Sequence, residues 1–313
     1  MLMDSPSDKP RALITGLEGF TGRYVADELR RSGYEIFGTR HSGADEREAG
    51  CFRVDICDLA ALRRVVEEVE PEVVVHLAAI SFVAHGEADA IYRANVVGTR
   101  NLLEALAGLS RTPRAVLLAS SANVYGNAPV ELIDESVSLA PANDYAVSKL
   151  AMEYMARLWM HRLPIVIARP FNYTGVGQAS HFLIPKIVSH FQRRASVIEL
   201  GNLDVERDFS DVRVVAQAYV RLLEVVPAGQ VVNVGSGQVV SLREVLAMMS
   251  GISGHEIEVR VNPEFVRANE VKRLQGDVSR LKELIGGYQP IPLMETLEWM
   301  FRNGPECIGS VGT

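Results

Sequence analysis

Cysteine is scarce in this sequence, and its scarcity excludes whole classes of protein. Only Cys51, Cys57 and Cys307 occur among 313 residues. They form no Cys-x-x-Cys and are joined by no His-Glu-x-x-His, so neither a disulfide framework nor a metal site is expected. Reduced thiols point to a cytoplasmic location. No apolar run approaches the length of a membrane span. The first ten residues lack the apolar centre of a signal peptide, so no membrane partner is expected. An excess of positive charge is missing too. The formal net charge is −7 and the basic residues are scattered, which argues against nucleic acid. Internal repeats are absent. What remains is 48% hydrophobic and 23% charged, a composition that suits a soluble chain with a sizeable core.

Glycine, by contrast, is placed with purpose near the start. Residues 11–22 read Arg-Ala-Leu-Ile-Thr-Gly-Leu-Glu-Gly-Phe-Thr-Gly. The run Ala12 to Thr15 predicts a buried parallel strand, and Tyr24 to Arg31 has helical character. Between them, Gly16 permits a tight turn, Gly19 lets backbone approach a pyrophosphate, and Gly22 lets helix and strand pack closely. Strand, glycine turn and helix in this order form a dinucleotide-binding arrangement, in which the amides at the helix N-terminus would face the pyrophosphate and Phe20 and Thr21 are further cofactor contacts. The second strand, from Glu35, ends without the carboxylate that usually receives an NAD ribose; Arg40 stands there instead. A guanidinium suits a 2′-phosphate, so NADP(H) is favoured, with NAD(H) as the alternative if Arg40 stacks on adenine or faces solvent. Asp55, followed by Ile56, ends a third apolar run and is placed either to meet the adenine amino group or to serve as a plain loop carboxylate.

Further strand ends carry the remaining candidates. Val73 to His76 runs into Leu77, Ala78 and Ala79, small enough to pass close to a cofactor, with His76 read as a packed residue. Ser121 follows the strand Ala115 to Ala119. Downstream, Asp-Tyr-Ala-Val-Ser-Lys places Tyr145 and Lys149 four residues apart, on one face of a helix. An ammonium beside a phenol lowers its pKa and makes it a proton donor or acceptor near neutrality. Gly16, Ala78, Ser121 and Tyr145 all fall at or just after strand C-termini, where ligands of doubly wound sheets bind.

Taken jointly, Thr-Gly-x-x-Gly-Phe-x-Gly at 15–22, His-Leu-Ala-Ala at 76–79, Asn-Val-x-Gly-Thr at 95–99, Ser-x-x-x-Tyr-Gly at 121–126 and Tyr-x-x-x-Lys at 145–149 resemble the extended short-chain dehydrogenases/reductases that act on nucleotide sugars. The resemblance spans about residues 11 to 303. It implies that Ser121, Tyr145 and Lys149 are catalytic, with Tyr145 exchanging a proton with the sugar oxygen and Lys149 also holding the nicotinamide ribose. The segments 169–178 and 201–212, with Arg267-Ala268-Asn269-Glu270-Val271, are similar to those of GDP-4-keto-6-deoxymannose reductases. That likeness implies that Asn172, Arg207, Arg267 and Glu270 bind the nucleotide diphosphate and its ribose. Ser81, Ser121, Asn123 and His181 are the candidate sugar contacts, with His181 equally readable as a loop residue. Tyr173, Val176 and Ala268 depart from that pattern.

The residue two before Tyr125 separates the relatives. Dehydratases of the group carry a glutamate there and epimerising synthases a cysteine; here it is Asn123, an amide that cannot act as a general base. The resemblance therefore implies NADPH-dependent reduction of a GDP-linked 4-keto-6-deoxy sugar. The alternatives are a 4-epimerase of the UDP-galactose type and a non-catalytic dinucleotide sensor. The expected fold is α/β: a Rossmann-type doubly wound parallel sheet over 1–171, with 211–237 returning to it. A smaller α/β substrate lobe would take 172–210 and 238–313. Apolar residues on more than one face of the helices carrying Asn95 and Tyr145 predict a homodimer.

Overall fold

The computed structural model describes residues 9–41, 50–81, 88–265 and 273–304. Seven parallel strands form the main sheet, in the order Val231–Val234, Ile165–Pro170, Ala115–Ala119, Val73–His76, Arg11–Thr15, Glu35–Arg40, Cys51–Arg53. The order reverses between Arg11–Thr15 and Val73–His76, a switch point that opens a crevice beyond the strand ends. Side chains alternate across the sheet with period two. Ile14, Val75 and Leu117 join one core, under the helices Phe20–Arg31 and Val212–Val225. Leu13, Val74 and Val116 join the other, under Leu59–Val69, Thr99–Ala107 and Asp144–Arg157. Burial on both faces is why these strands read as unbroken apolar runs.

The first helix starts earlier than its side-chain pattern suggested, at Phe20. The helix expected from Asn95 is also longer: Ala88–Tyr92 leads into a π-helical stretch, Arg93–Gly98, and then Thr99–Ala107. A smaller core gathers Ile187, Phe191, Val245, Met249, Leu297 and Met300 from three helices, Leu183–Gln192, Leu242–Ser253 and Leu293–Asn303.

The strand Val231–Val234 pairs in parallel with Ile165–Pro170, and the helix Val212–Val225 covers the same face. Two further crossings run past the expected boundaries. Leu132–Ile133, from before residue 171, pairs with Arg273–Gly276 in a four-stranded sheet. Leu281 and Ile285, with Val278 and Tyr288, pack into the main core against Val232 and Val234. Leu281 and Ile285 lie four apart on the helix Ser279–Ile285, so they share one apolar face that the sheet edge can bury.

Candidate active site

Ser121, Tyr145 and Lys149 meet beyond the strand Ala115–Ala119. Ser121 caps a short 3-10 helix, Ala122–Tyr125, its hydroxyl accepting the Asn123 amide at 3.2 Å. Asn143 caps the helix Asp144–Arg157 by accepting the Ala146 amide at 2.9 Å, which fixes Tyr145 in the first turn. The Ser121 side chain lies close enough to the Tyr145 phenol to lower its pKa. Lys149 lies one turn on, its Nζ 6.0 Å from the Tyr145 ring centre and donating to the Ala119 carbonyl at 2.8 Å.

The electrostatics differ from the expectation that Lys149 lowers the tyrosine pKa. Burial pushes the Tyr145 phenol up to about 12, the Tyr173 phenol adds to this, and the nearby Ser121 hydroxyl only partly offsets it. Lys149 is itself pushed down by burial, to about 8, with the Glu153 charge acting in the opposite direction. The ammonium faces the Ala119 carbonyl rather than the phenol oxygen, and desolvation of both groups decides the outcome.

Two positioning residues escaped the sequence reading. Glu153, one turn beyond Lys149, is fully buried. It accepts the Ser120 hydroxyl at 2.5 Å and the Arg169 guanidinium at 2.9 and 2.6 Å. Arg169 in turn donates to the Tyr125 hydroxyl at 2.9 Å, and Tyr125 to Asn233 at 2.7 Å. Burial alone would push the Arg169 guanidinium down, but its hydrogen bonds with Glu153 and that carboxylate's charge hold it above its ordinary range. The continuation of Tyr-x-x-x-Lys to a glutamate four residues later was the available signal.

Asn95 is the second. The π-helical stretch turns it inward, where it accepts the Ile80 amide at 2.9 Å and donates to the Ile80 carbonyl and to the Ser148 hydroxyl. It thereby ties the loop Leu77–Ile80 to the helix of Tyr145 and Lys149. His76 is packed, as expected. Its ring bonds Thr15 and Thr99 at 2.6 and 2.8 Å, and burial, with the nearby Lys149 charge, pushes it down to about 3.

The glycine turn lies across the switch point. The Gly16 and Leu17 amides both donate to the Thr39 carbonyl, at 3.0 and 3.2 Å. Gly16 has φ +75°, and a Cβ on Gly22 would fall 2.4 Å from the Gly16 carbonyl oxygen. No side chain caps the first helix and no acidic residue occupies its first turn, so its amides stay open to an anion. These features fit a dinucleotide pyrophosphate. Ala78 donates to the Thr15 hydroxyl at 3.2 Å, which brings Leu77 to Ala79 alongside. Thr21 is engaged by the Tyr173 hydroxyl at 2.8 Å, and Phe20 stacks on the Tyr173 ring. Tyr173 therefore contacts the glycine turn, and its phenol also lies close enough to Tyr145 to raise that group's pKa. Arg40 contacts Glu18 of the glycine turn at 2.9 Å. Asp55 is exposed and accepts the Cys57 amide, while Ile56 packs against Gly98.

The other candidates lie on several separate segments of the chain. Ser81 and Asn123 are exposed, as is His181, whose ring lies 4.3 Å from that of Phe182. Asn172 donates to the Asp208 carbonyl, and Arg207 stands beside that residue on the strand Glu206–Arg207. Arg267 and Glu270 lie outside the described residues. No group of three or more potential metal ligands occurs among the described residues.

Comparison with known proteins places this geometry. The sequence pattern of the NAD dependent epimerase/dehydratase family matches residues 12–235. The GDP-6-deoxy-D-talose 4-dehydrogenase of Aggregatibacter actinomycetemcomitans is 33% identical over 94% of this chain and 97% of its own length. The GDP-6-deoxy-D-mannose reductase of Pseudomonas aeruginosa is 34% identical over 92% of this chain and 94% of its own. Among solved structures, RMD from Pseudomonas aeruginosa complexed with NADPH superposes with a TM-score of 0.81 at 31% identity, covering 94% of this chain and 98% of that one. A Burkholderia cenocepacia protein is 54% identical, with a TM-score of 0.89 over 93% of this chain and 97% of that one.

Proposed function

The chain belongs to the NAD-dependent epimerase/dehydratase family of extended short-chain dehydrogenases/reductases. From that premise we propose that it reduces the C4 ketone of GDP-4-dehydro-6-deoxy-D-mannose with NADPH, giving GDP-D-rhamnose or its C4 epimer GDP-6-deoxy-D-talose. The observation that carries this reading is the meeting of Ser121, Tyr145 and Lys149 beside the glycine turn, with the amide of Asn123 where carbon-acid chemistry needs a base. Both curated relatives are named for redox chemistry on a GDP-6-deoxy-hexose, which supports the substrate class.

The residues to hold the dinucleotide are Gly16, Gly19, Phe20, Thr21 and Gly22 at the phosphates, Arg40, Asp55 and Ile56 toward the adenosine, and Leu77, Ala78 and Ala79 alongside. When bound, the nicotinamide supplies the hydride. Tyr145, whose phenol burial keeps protonated, gives its proton to the oxygen developing at C4. Ser121 donates a second hydrogen bond to that oxygen. Lys149 places positive charge near the phenolate left behind and reaches the nicotinamide ribose. Asn172, Arg207, Arg267 and Glu270 take the diphosphate and ribose of the substrate, and Ser81, Asn123 and His181 its sugar. The active form is a cytoplasmic homodimer.

The test supplies GDP-4-dehydro-6-deoxy-D-mannose through a separate dehydratase, follows nicotinamide absorbance and identifies the product by NMR. Oxidation of NADPH with a new C4 alcohol is the expected result, and the configuration at C4 assigns rhamnose or talose. A second reading, a 4-epimerase of the UDP-galactose type, is favoured by one feature, the Glu18 carboxylate beside Arg40. Redox-neutral interconversion of nucleotide hexoses without NADPH consumption would select it.

A further inference from the structure

Arg40 is the residue from which a preference for a 2′-phosphate was read, and it is already engaged. Its Nη1 donates to Glu18 Oε1 at 2.9 Å. Glu18 lies inside the glycine turn, between Gly16 and Gly19, and the two amides bound to the Thr39 carbonyl hold that turn against the end of the second strand. The pair is therefore held by backbone on both sides and is not a chance meeting of long side chains. Arg40 is only 12% exposed, whereas Glu18 is 46% exposed. Arg53 stands at the paired position on the neighbouring strand.

We infer that Glu18 is a specificity residue: by holding Arg40 it weakens the advantage of a 2′-phosphate, so that the chain takes NADH as well as NADPH. This rests on the cofactor reading given above. A 2′-phosphate carries a charge of about −1.5 to −2. To reach the Arg40 fork it must displace the Glu18 carboxylate or sit beside it, and either course costs affinity through repulsion of like charges. A ribose 2′-hydroxyl brings no charge, and a carboxylate at this edge can accept its proton in a hydrogen bond. The same guanidinium that would recognise NADP(H) if it stood alone is here part of a neutralised pair.

Calorimetric titration with NADP⁺ and NAD⁺, which needs no turnover, tests the inference on the intact protein, Glu18→Gln, Arg40→Met and the double variant. Glu18→Gln keeps the volume and removes the charge. It is expected to tighten NADP⁺ by about two- to fivefold relative to NAD⁺, the upper part of the range that one partly exposed ion pair can supply. The shift is expected to vanish in the Arg40→Met background, because Glu18 acts through that guanidinium. A ratio of the two affinities that moves by less than about twofold in Glu18→Gln, or a shift that persists in the Arg40→Met background, overturns the inference and leaves the cofactor reading standing. Failure of the wild-type protein to bind either dinucleotide overturns both.

Discussion

Burial acts on Tyr145 and Lys149 in opposite directions, and both shifts set the pH range of the proposed reaction. A phenol pushed up to about 12 stays protonated through the neutral range and is ready to act as an acid. An ammonium pushed down to about 8 loses its charge within reach of ordinary buffers. The sign follows directly: below about 8 Lys149 is charged and can steady a phenolate, and above it that support is lost. Reduction measured as kcat is therefore expected to fall as pH rises through the Lys149 midpoint, while the phenol keeps its proton. Replacing Tyr145 by phenylalanine removes the acid and should cost about 10²- to 10⁴-fold in kcat. Dinucleotide binding by titration and the fold by circular dichroism should persist. A non-catalytic sensor would show no turnover to lose. The four-residue spacing revealed the pairing of Tyr145 with Lys149. It could not reveal the direction of the shifts, because burial is set by elements distant in sequence.

The element that supports this pair is the helix Asp144–Arg157, and its hidden anchor is Glu153. That carboxylate binds the residue before Ser121 on one side and Arg169 on the other, while its charge raises the Lys149 pKa. Glu153→Gln keeps the shape and removes the charge, so the kcat midpoint assigned to Lys149 is expected to move to lower pH. Because Arg169 would be left charged and buried without its counterion, the same change should destabilise the fold by about 3–5 kcal/mol, read as a loss in denaturant midpoint. A purely structural glutamate would give the second effect without the first. The short helix that follows Ser121 depends on Gly126 in a different way. Its φ of +58° with ψ of −134° belongs to glycine, and a Cβ would fall 1.7 Å from the Ala140 carbonyl oxygen. Gly126→Ala is expected to cost at least about 1–3 kcal/mol and to lower kcat by displacing Asn123 and Ser121, checked by thermal melting beside steady-state rates. Strands of this sheet were legible because doubly buried parallel strands are continuous apolar runs. The π-helical stretch at Arg93–Gly98 was not, since one extra residue in a helical turn leaves the apolar pattern nearly intact.

At the scale of the whole molecule the same distinction holds between local pattern and distant contact. The glycine turn and Tyr-x-x-x-Lys are contiguous words and could be read directly. The Glu18–Arg40 pair joins residues 22 apart. The partnership of Glu206–Arg207 with Arg273–Gly276, and the packing of Leu281 and Ile285 under Val232, depend on the folded lobes. One whole-molecule property does follow from a local pattern. Val147, Tyr154 and Leu158 recur at helical spacing along and just beyond Asp144–Arg157, and they are exposed together with Val97 of the neighbouring π-helical stretch. Leu158 alone is 71% exposed. The opposite face of this helix, with Met152 and Ala156, is committed to the sheet, so the outer stripe has no covering element among the described residues. Two copies meeting through this stripe would cover it in both, and the helix bearing Tyr145 and Lys149 would then be braced from both sides. Light scattering after gel filtration is expected to give twice the 34.3 kDa chain mass. Leu158→Glu combined with Tyr154→Glu should give the single-chain mass, because each buried carboxylate would lack a counterion in the pair. If the variant protein stayed folded and kept the mass of two chains, this stripe would not be the contact. If wild-type protein ran as one chain, the brace on the Tyr145 helix would have to come from within the chain, and loss of activity on dilution would not be expected.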